Sequence, residues 1–218
     1  MLDHLLAVLL LLVVPARALW RSRSGRISTG SKTARYLTVI GMVGGMLTLL
    51  ATDWLMTGRS IHALGLGIPT SMPALIGLGL AVVLLAILGL SRRDPSTTLR
   101  PDVEAVRREL FPDTPGEMRL FLLVTLAAGA GWEILYRGFL LFYLPSTTGL
   151  SGAVIISAGA YGAAHGFKTA KHFVASIVSA LAFTIGYAVT ASLWWLMVLH
   201  IGLMLLGALA GRAAGRLR

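Results

Sequence analysis

The chain has 218 residues, 56% of them hydrophobic and only 13% charged, with a formal net charge of +10 and no cysteine. Its mean hydropathy of +0.80 exceeds what an ordinary soluble globular domain carries. Disulfide frameworks and thiolate metal sites are excluded outright. The composition predicts an integral membrane protein of the all-α class, a polytopic bundle of transmembrane helices.

Seven apolar segments are long enough, or nearly so, to cross about 30 Å of hydrocarbon as helices. In chain order they are 2–19, 35–56, 71–90, 120–143, 151–165, 173–190 and 192–210. The first resembles a signal-peptide core followed by "PARA" at 15–18, but Asp3 and His4 stand where a signal peptide needs basic residues, so an uncleaved first helix is expected. Between the third and fourth segments runs a polar stretch, 91–118, in which "DVEAVRREL" at 102–110 predicts a short surface helix. The expected organisation is a single membrane domain over 1–218: three N-terminal helices over 1–90, a cytoplasmic connector over 91–118, and a four-helix core over 119–218. Glycine pairs at 41 and 45 and at 207 and 211 fit close helix packing, and Trp194 and Trp195 fit an interfacial anchor.

The basic residues sort by loop. Arg17, Arg21, Arg23, Arg26, Lys32 and Arg35 follow the first segment, and Arg92, Arg93, Arg100, Arg107, Arg108 and Arg119 follow the third. Lys168 and Lys171 follow the fifth, and Arg212, Arg216 and Arg218 the seventh; the intervening loops hold only Arg59. By the positive-inside rule this alternation places the N-terminus outside and the C-terminus in the cytoplasm, with the plasma membrane as the expected location. Because the charge is dispersed rather than gathered into one stripe, the expected partner is the lipid bilayer and not nucleic acid.

Eight of the nine acidic residues lie in loops or near helix ends, whereas Glu133 lies deep in the fourth segment, within "GWEILYRGFL". A charged group at mid-bilayer costs about 2.5 to 3.5 kcal/mol on insertion scales and therefore usually faces a bundle interior or a wet cavity. Arg137, four residues on, shares its helix face. The pair alone is equally consistent with structural neutralisation. His165 and His200, each in or at the end of another apolar segment, favour a convergent site. Such a set offers a carboxylate base for water and imidazoles to hold that water or an oxyanion. Two histidines and a glutamate also match a catalytic zinc ligand count, and a transporter relay needs similar groups, but H-E-x-x-H and an inverted repeat are both missing.

These residues resemble the CPBP family of intramembrane proteases, also called Abi, which contains CAAX-processing endopeptidases and bacteriocin-processing or immunity proteins. The family motif Glu-Glu-x-x-x-Arg-Gly corresponds to "WEILYRG" at 132–138, the aromatic-x-x-x-His motif to "YGAAH" at 161–165, and the His-x-x-x-Asn/Asp motif to "HIGLM" at 200–204. The resemblance implies a membrane endopeptidase needing no cofactor and acting on a membrane-associated peptide or protein. It implies site roles for Glu133 with Arg137 as its orienting partner, for His165 in contacting water, and for His200 as oxyanion donor, with Tyr161 the aromatic of the second motif. Two positions depart from the pattern: Trp132 replaces the first glutamate and Met204 the final Asn or Asp, and neither can do the polar work of the residue it replaces. The leading expectation is a glutamate-dependent endopeptidase with impaired catalysis allowed for. The alternative is a non-catalytic, immunity-like binding protein.

Overall fold

The computed structural model describes residues 1–23, 31–91 and 110–215, with side chains described as far as Leu209. Most of the helix expected at 102–110 lies outside the described residues. Seven helices make up the fold, which has no strand among the described residues: α1 (Leu2–Arg23), α2 (Lys32–Met56), α3 (Met72–Leu90), α4 (Pro115–Tyr143), α5 (Pro145–Ala164), α6 (Ala170–Thr190) and α7 (Trp194–Gly215). The all-α membrane bundle read from composition is what forms. Five helices, α1 to α4 and α6, are long and apolar enough to cross a membrane by length and composition. Of the other two, α5 is interrupted for a local reason. α5 opens on Pro145, Ser146, Thr147 and Thr148 and breaks at Gly149, whose φ of 68° and ψ of 171° no helix contains. α7 is apolar throughout Trp194–Leu209, the last residue whose side chain is described.

Helix starts follow from side-chain caps. Ser31, Ser71, Thr114 and Thr169 each accept a hydrogen bond from the backbone N–H three residues on, satisfying a donor the helix cannot. At α4 the cap is reciprocal, since Glu117 reaches back to the N–H of Thr114, and Pro115 supplies a preset first turn. The same region is fastened to α2: Lys32 pairs with Asp113 and donates to the carbonyl of Phe111 at 2.9 Å, while the Tyr36 hydroxyl donates to Leu110 at 2.7 Å.

The helices that precede the connector pack on those that follow it: α1 on α5, α2 on α4 and α3 on α7. Their main core gathers Leu6, Leu10, Val43, Leu50, Leu135, Tyr136, Phe139 and Leu140. Close approach is made at particular glycines. A Cβ on Gly162 would fall 2.9 Å from the Cα of Ile177, and one on Gly131 would meet Val43 at 2.3 Å. Gly41 and Gly45 have nothing within 4 Å of that position, so their spacing is not used for packing here. Trp195 is half-buried between Gly77 and Gly186 with its indole N–H on Thr190 at 3.0 Å.

Two helices contain a widened π turn. In α1 it spans Leu9–Val13, just before Pro15, whose ring would press on a carbonyl four residues back in regular α geometry. In α4 it spans Ile134–Phe139. In α4 the return from five-residue to four-residue spacing after the bond Leu140 N–H to Leu135 passes over one carbonyl, and in α1 Pro15, the residue after the bond Val14 N–H to Leu9, has no N–H to give. The carbonyls left over are those of Leu10 and Tyr136. Tyr136 Oη donates to the first at 2.9 Å and Ser157 Oγ to the second at 2.5 Å, so the two irregular turns are joined through one side chain.

Away from the basic loops, Arg59 closes the opposite end. It grips Asp3 with both guanidinium nitrogens at 2.9 and 2.8 Å, reaches Asp53 at 3.0 Å, and lies over the rings of Trp54 and Phe142. The hydrogen bonds that it donates to Asp3 raise its pKa above the ordinary arginine value.

Candidate active site

Glu133 is the last residue before the π turn of α4, and Arg137 lies inside that turn. Both are buried, at 3% and 0% exposure, so neither charge can be satisfied by bulk water. Arg137 Nη1 lies 3.2 Å from Glu133 Oε2, and its guanidinium carbon sits 3.9 Å from the centre of the Tyr161 ring. The ring face offers a cation the partner that its buried, unbonded Nε and Nη2 otherwise lack.

The nearest polar partner of the carboxylate is not Arg137. His200, on the second turn of α7, places Nδ1 2.9 Å from Glu133 Oε1. If that nitrogen carries the proton and donates, Nε2 is left as an acceptor. His165, the C-cap of α5, is exposed, with Nδ1 3.0 Å from the Tyr161 carbonyl and its ring edge-on to Tyr161 at 4.8 Å. Thus Glu133 and Arg137 of α4, Tyr161 and His165 of α5, and His200 of α7 stand together from three separate helices.

Two cavities meet at this cluster. One, of about 340 Å³, is lined by Glu133, Tyr161, His165 and His200 together with Ser176, Ser179 and His172. The other, of about 630 Å³, shares Tyr161, His165 and His200 but is walled by Trp132 and Met204. The two altered motif positions therefore face one side of the histidine pair, and the retained glutamate faces the other. Adjacent residues on a helix point about 100° apart, which is why Trp132 and Glu133 open onto different spaces.

His172 is a residue the sequence reasoning missed. It lies in the first turn of α6, lines the smaller cavity, and buries an Nδ1 with no hydrogen-bond partner. Its surroundings in sequence, "TAKHF", are those of an ordinary helix start, so only the three-dimensional arrangement singles it out. Among the described residues no group of three or more His, Cys, Asp or Glu side chains is disposed to hold a metal ion.

Comparison with known families finds one match: residues 114–206 fit the family described as Rce1-like, type II CAAX prenyl endopeptidase Rce1-like. Neither the curated proteins nor the solved structures yield a match. The matched segment contains every motif residue named above, so over that segment the chain is similar to the Rce1-like, CAAX-protease-type membrane proteins, consistent with the CPBP family its motifs resemble.

Proposed function

We propose that the chain is an intramembrane endopeptidase that hydrolyses a membrane-associated polypeptide at the polar cavity beneath Glu133. The observation that carries this reading is the 2.9 Å contact between Glu133 Oε1 and His200 Nδ1 on the wall of that cavity. A carboxylate that fixes one imidazole nitrogen leaves the other to act as base, the logic shared by hydrolytic triads. In this arrangement Arg137 holds Glu133 in place and Glu133 orients His200. Nε2 of His200 takes a proton from water, whose oxygen attacks the scissile carbonyl carbon. His165 hydrogen-bonds the oxyanion, and the proton on His200 passes to the leaving amine as the C–N bond breaks. His200 thus takes over base work for which Trp132 is unfit.

The reading includes the topology: N-terminus outside, C-terminus in the cytoplasm, a single domain in the plasma membrane. It is supported by the loop charges and by the contact that ties α1 to the turn after His165, where Phe167 N–H donates to Ser22 Oγ at 3.0 Å. The candidate site therefore lies toward the basic end of the bundle.

A second reading, a non-catalytic binding protein, is favoured by Trp132 and Met204 on the wall of the larger cavity. Cleavage of a broad peptide library by liposome-reconstituted protein separates the two. The endopeptidase reading expects products from the unmodified chain and a loss of about 100-fold or more in His200→Gln and Glu133→Gln. Products that appear only after Trp132→Glu would support the binding reading.

A further inference from the structure

The polar side chains that α6 turns toward the smaller cavity stand in a row. His172, Ser176 and Ser179 follow one another at spacings of four and three residues, which puts them on one side of the helix, and all three line that cavity with Glu133, His165 and His200. Val174, Val178 and Ile185 lie on the opposite side and are exposed. The hydroxyls of α6 are of two kinds. Thr184 and Thr190 turn back on their own helix, donating to the carbonyls of Ala180 and Gly186 at 2.7 and 2.8 Å. Ser176 and Ser179, on the cavity wall, make no hydrogen bond among the described residues. The wall around them, with Ala175, Phe183, Leu196 and Leu199, offers no acceptor side chain, and the carboxylate of Glu133 is already paired with Arg137 and His200.

We propose that Ser176 and Ser179 are substrate-positioning residues, whose hydroxyls donate to backbone carbonyls of the polypeptide beside the scissile bond and hold it extended along α6. This rests on the endopeptidase reading for its ligand and adds how that ligand is held. A polypeptide in a membrane satisfies its backbone polar groups inside a helix. Straightening it to bring one carbonyl carbon to His200 strands the neighbouring carbonyls, and a wall of aliphatic side chains cannot satisfy them. Two open hydroxyls on that wall supply the missing donors. Serine has a short side chain and a hydroxyl that rotates to suit its partner, so contacts of this kind follow the peptide backbone and not the identity of the substrate's side chains. His172 continues the same face one turn nearer the start of α6, with Nδ1 buried and unpartnered.

The test pairs a protein hydroxyl with a peptide carbonyl and can be read without hydrolysis. The probe is a fluorescein-labelled peptide of leucine and alanine flanked by lysines, made in an all-amide form and as a series in which each backbone carbonyl in turn becomes a thiocarbonyl. Sulfur is the poorer acceptor, and the N–H is kept. Binding to full-length protein in detergent is measured by fluorescence polarisation in the cold, and products are followed in parallel by mass spectrometry. In the unmodified protein one or two thioamide positions should weaken binding about fivefold. In Ser176→Ala/Ser179→Ala the all-amide peptide should bind about fivefold more weakly, and those same positions should lose their effect. Alanine is the better helix former, so this variant should unfold at no lower a temperature than the unmodified protein. A peptide that does not bind, a series without any thioamide effect, or an effect that persists in the double variant would overturn the proposal. Coupling without any product would leave the backbone contact standing and remove the peptidase reading; product without coupling would do the reverse.

Discussion

Glu133 is gripped from two directions, by Arg137 of its own helix and by His200 of α7, at 3.2 and 2.9 Å. Such a buried pair is costly to break from one side and cheap to remove from both, because a lone buried charge keeps its desolvation penalty. Arg137→Met alone should therefore destabilise the protein by about 3 to 5 kcal/mol, whereas Glu133→Gln/Arg137→Met should recover most of that loss. Thermal unfolding of the four proteins in one detergent gives the cycle, and simple additivity would mean that the two side chains are not coupled. Spacing alone announced the Arg137 contact, since four residues on a helix bring two side chains to one face. The His200 contact joins positions 67 residues apart and had no such signal.

At the scale of elements, the paired π turns hold the site's scaffold. Tyr136 joins α4 to the Leu10 carbonyl of α1, and Ser157 joins α5 to the Tyr136 carbonyl; all these partners are buried. Tyr136→Phe and Ser157→Ala each leave an acceptor in an apolar interior, and each should cost about 1 to 3 kcal/mol in thermal or denaturant unfolding. A loss within the error of measurement for both would mean that the leftover carbonyls find other donors. Neither irregular turn could be read in advance, since "ILYRGF" and "LLLLV" carry the composition of any transmembrane helix. The helices themselves were legible because apolar length is a one-dimensional property. The division of the space around His165 and His200 into an apolar and a polar cavity was not, because it depends on how α1 and α2 wall one side and α6 the other.

For the molecule as a whole, the reading turns on which end of the bundle faces the cytoplasm. Arg17, Arg21, Arg35 and Lys168 lie toward the end where Ser22 meets Phe167, and the opposite end holds Arg59, which pairs with Asp3 and Asp53. A cationic end retained on the cytoplasmic side would put the candidate site within reach of polypeptides from that side. The chain has no cysteine, so single cysteines report on orientation without background. Ile68, 82% exposed in the loop between α2 and α3, and Lys168, exposed in the turn between α5 and α6, mark the two ends. In intact cells a membrane-impermeant maleimide should label Ile68→Cys at once and Lys168→Cys only after permeabilisation. The reverse pattern would place the basic end outside, and with it the histidines would open away from the cytoplasm.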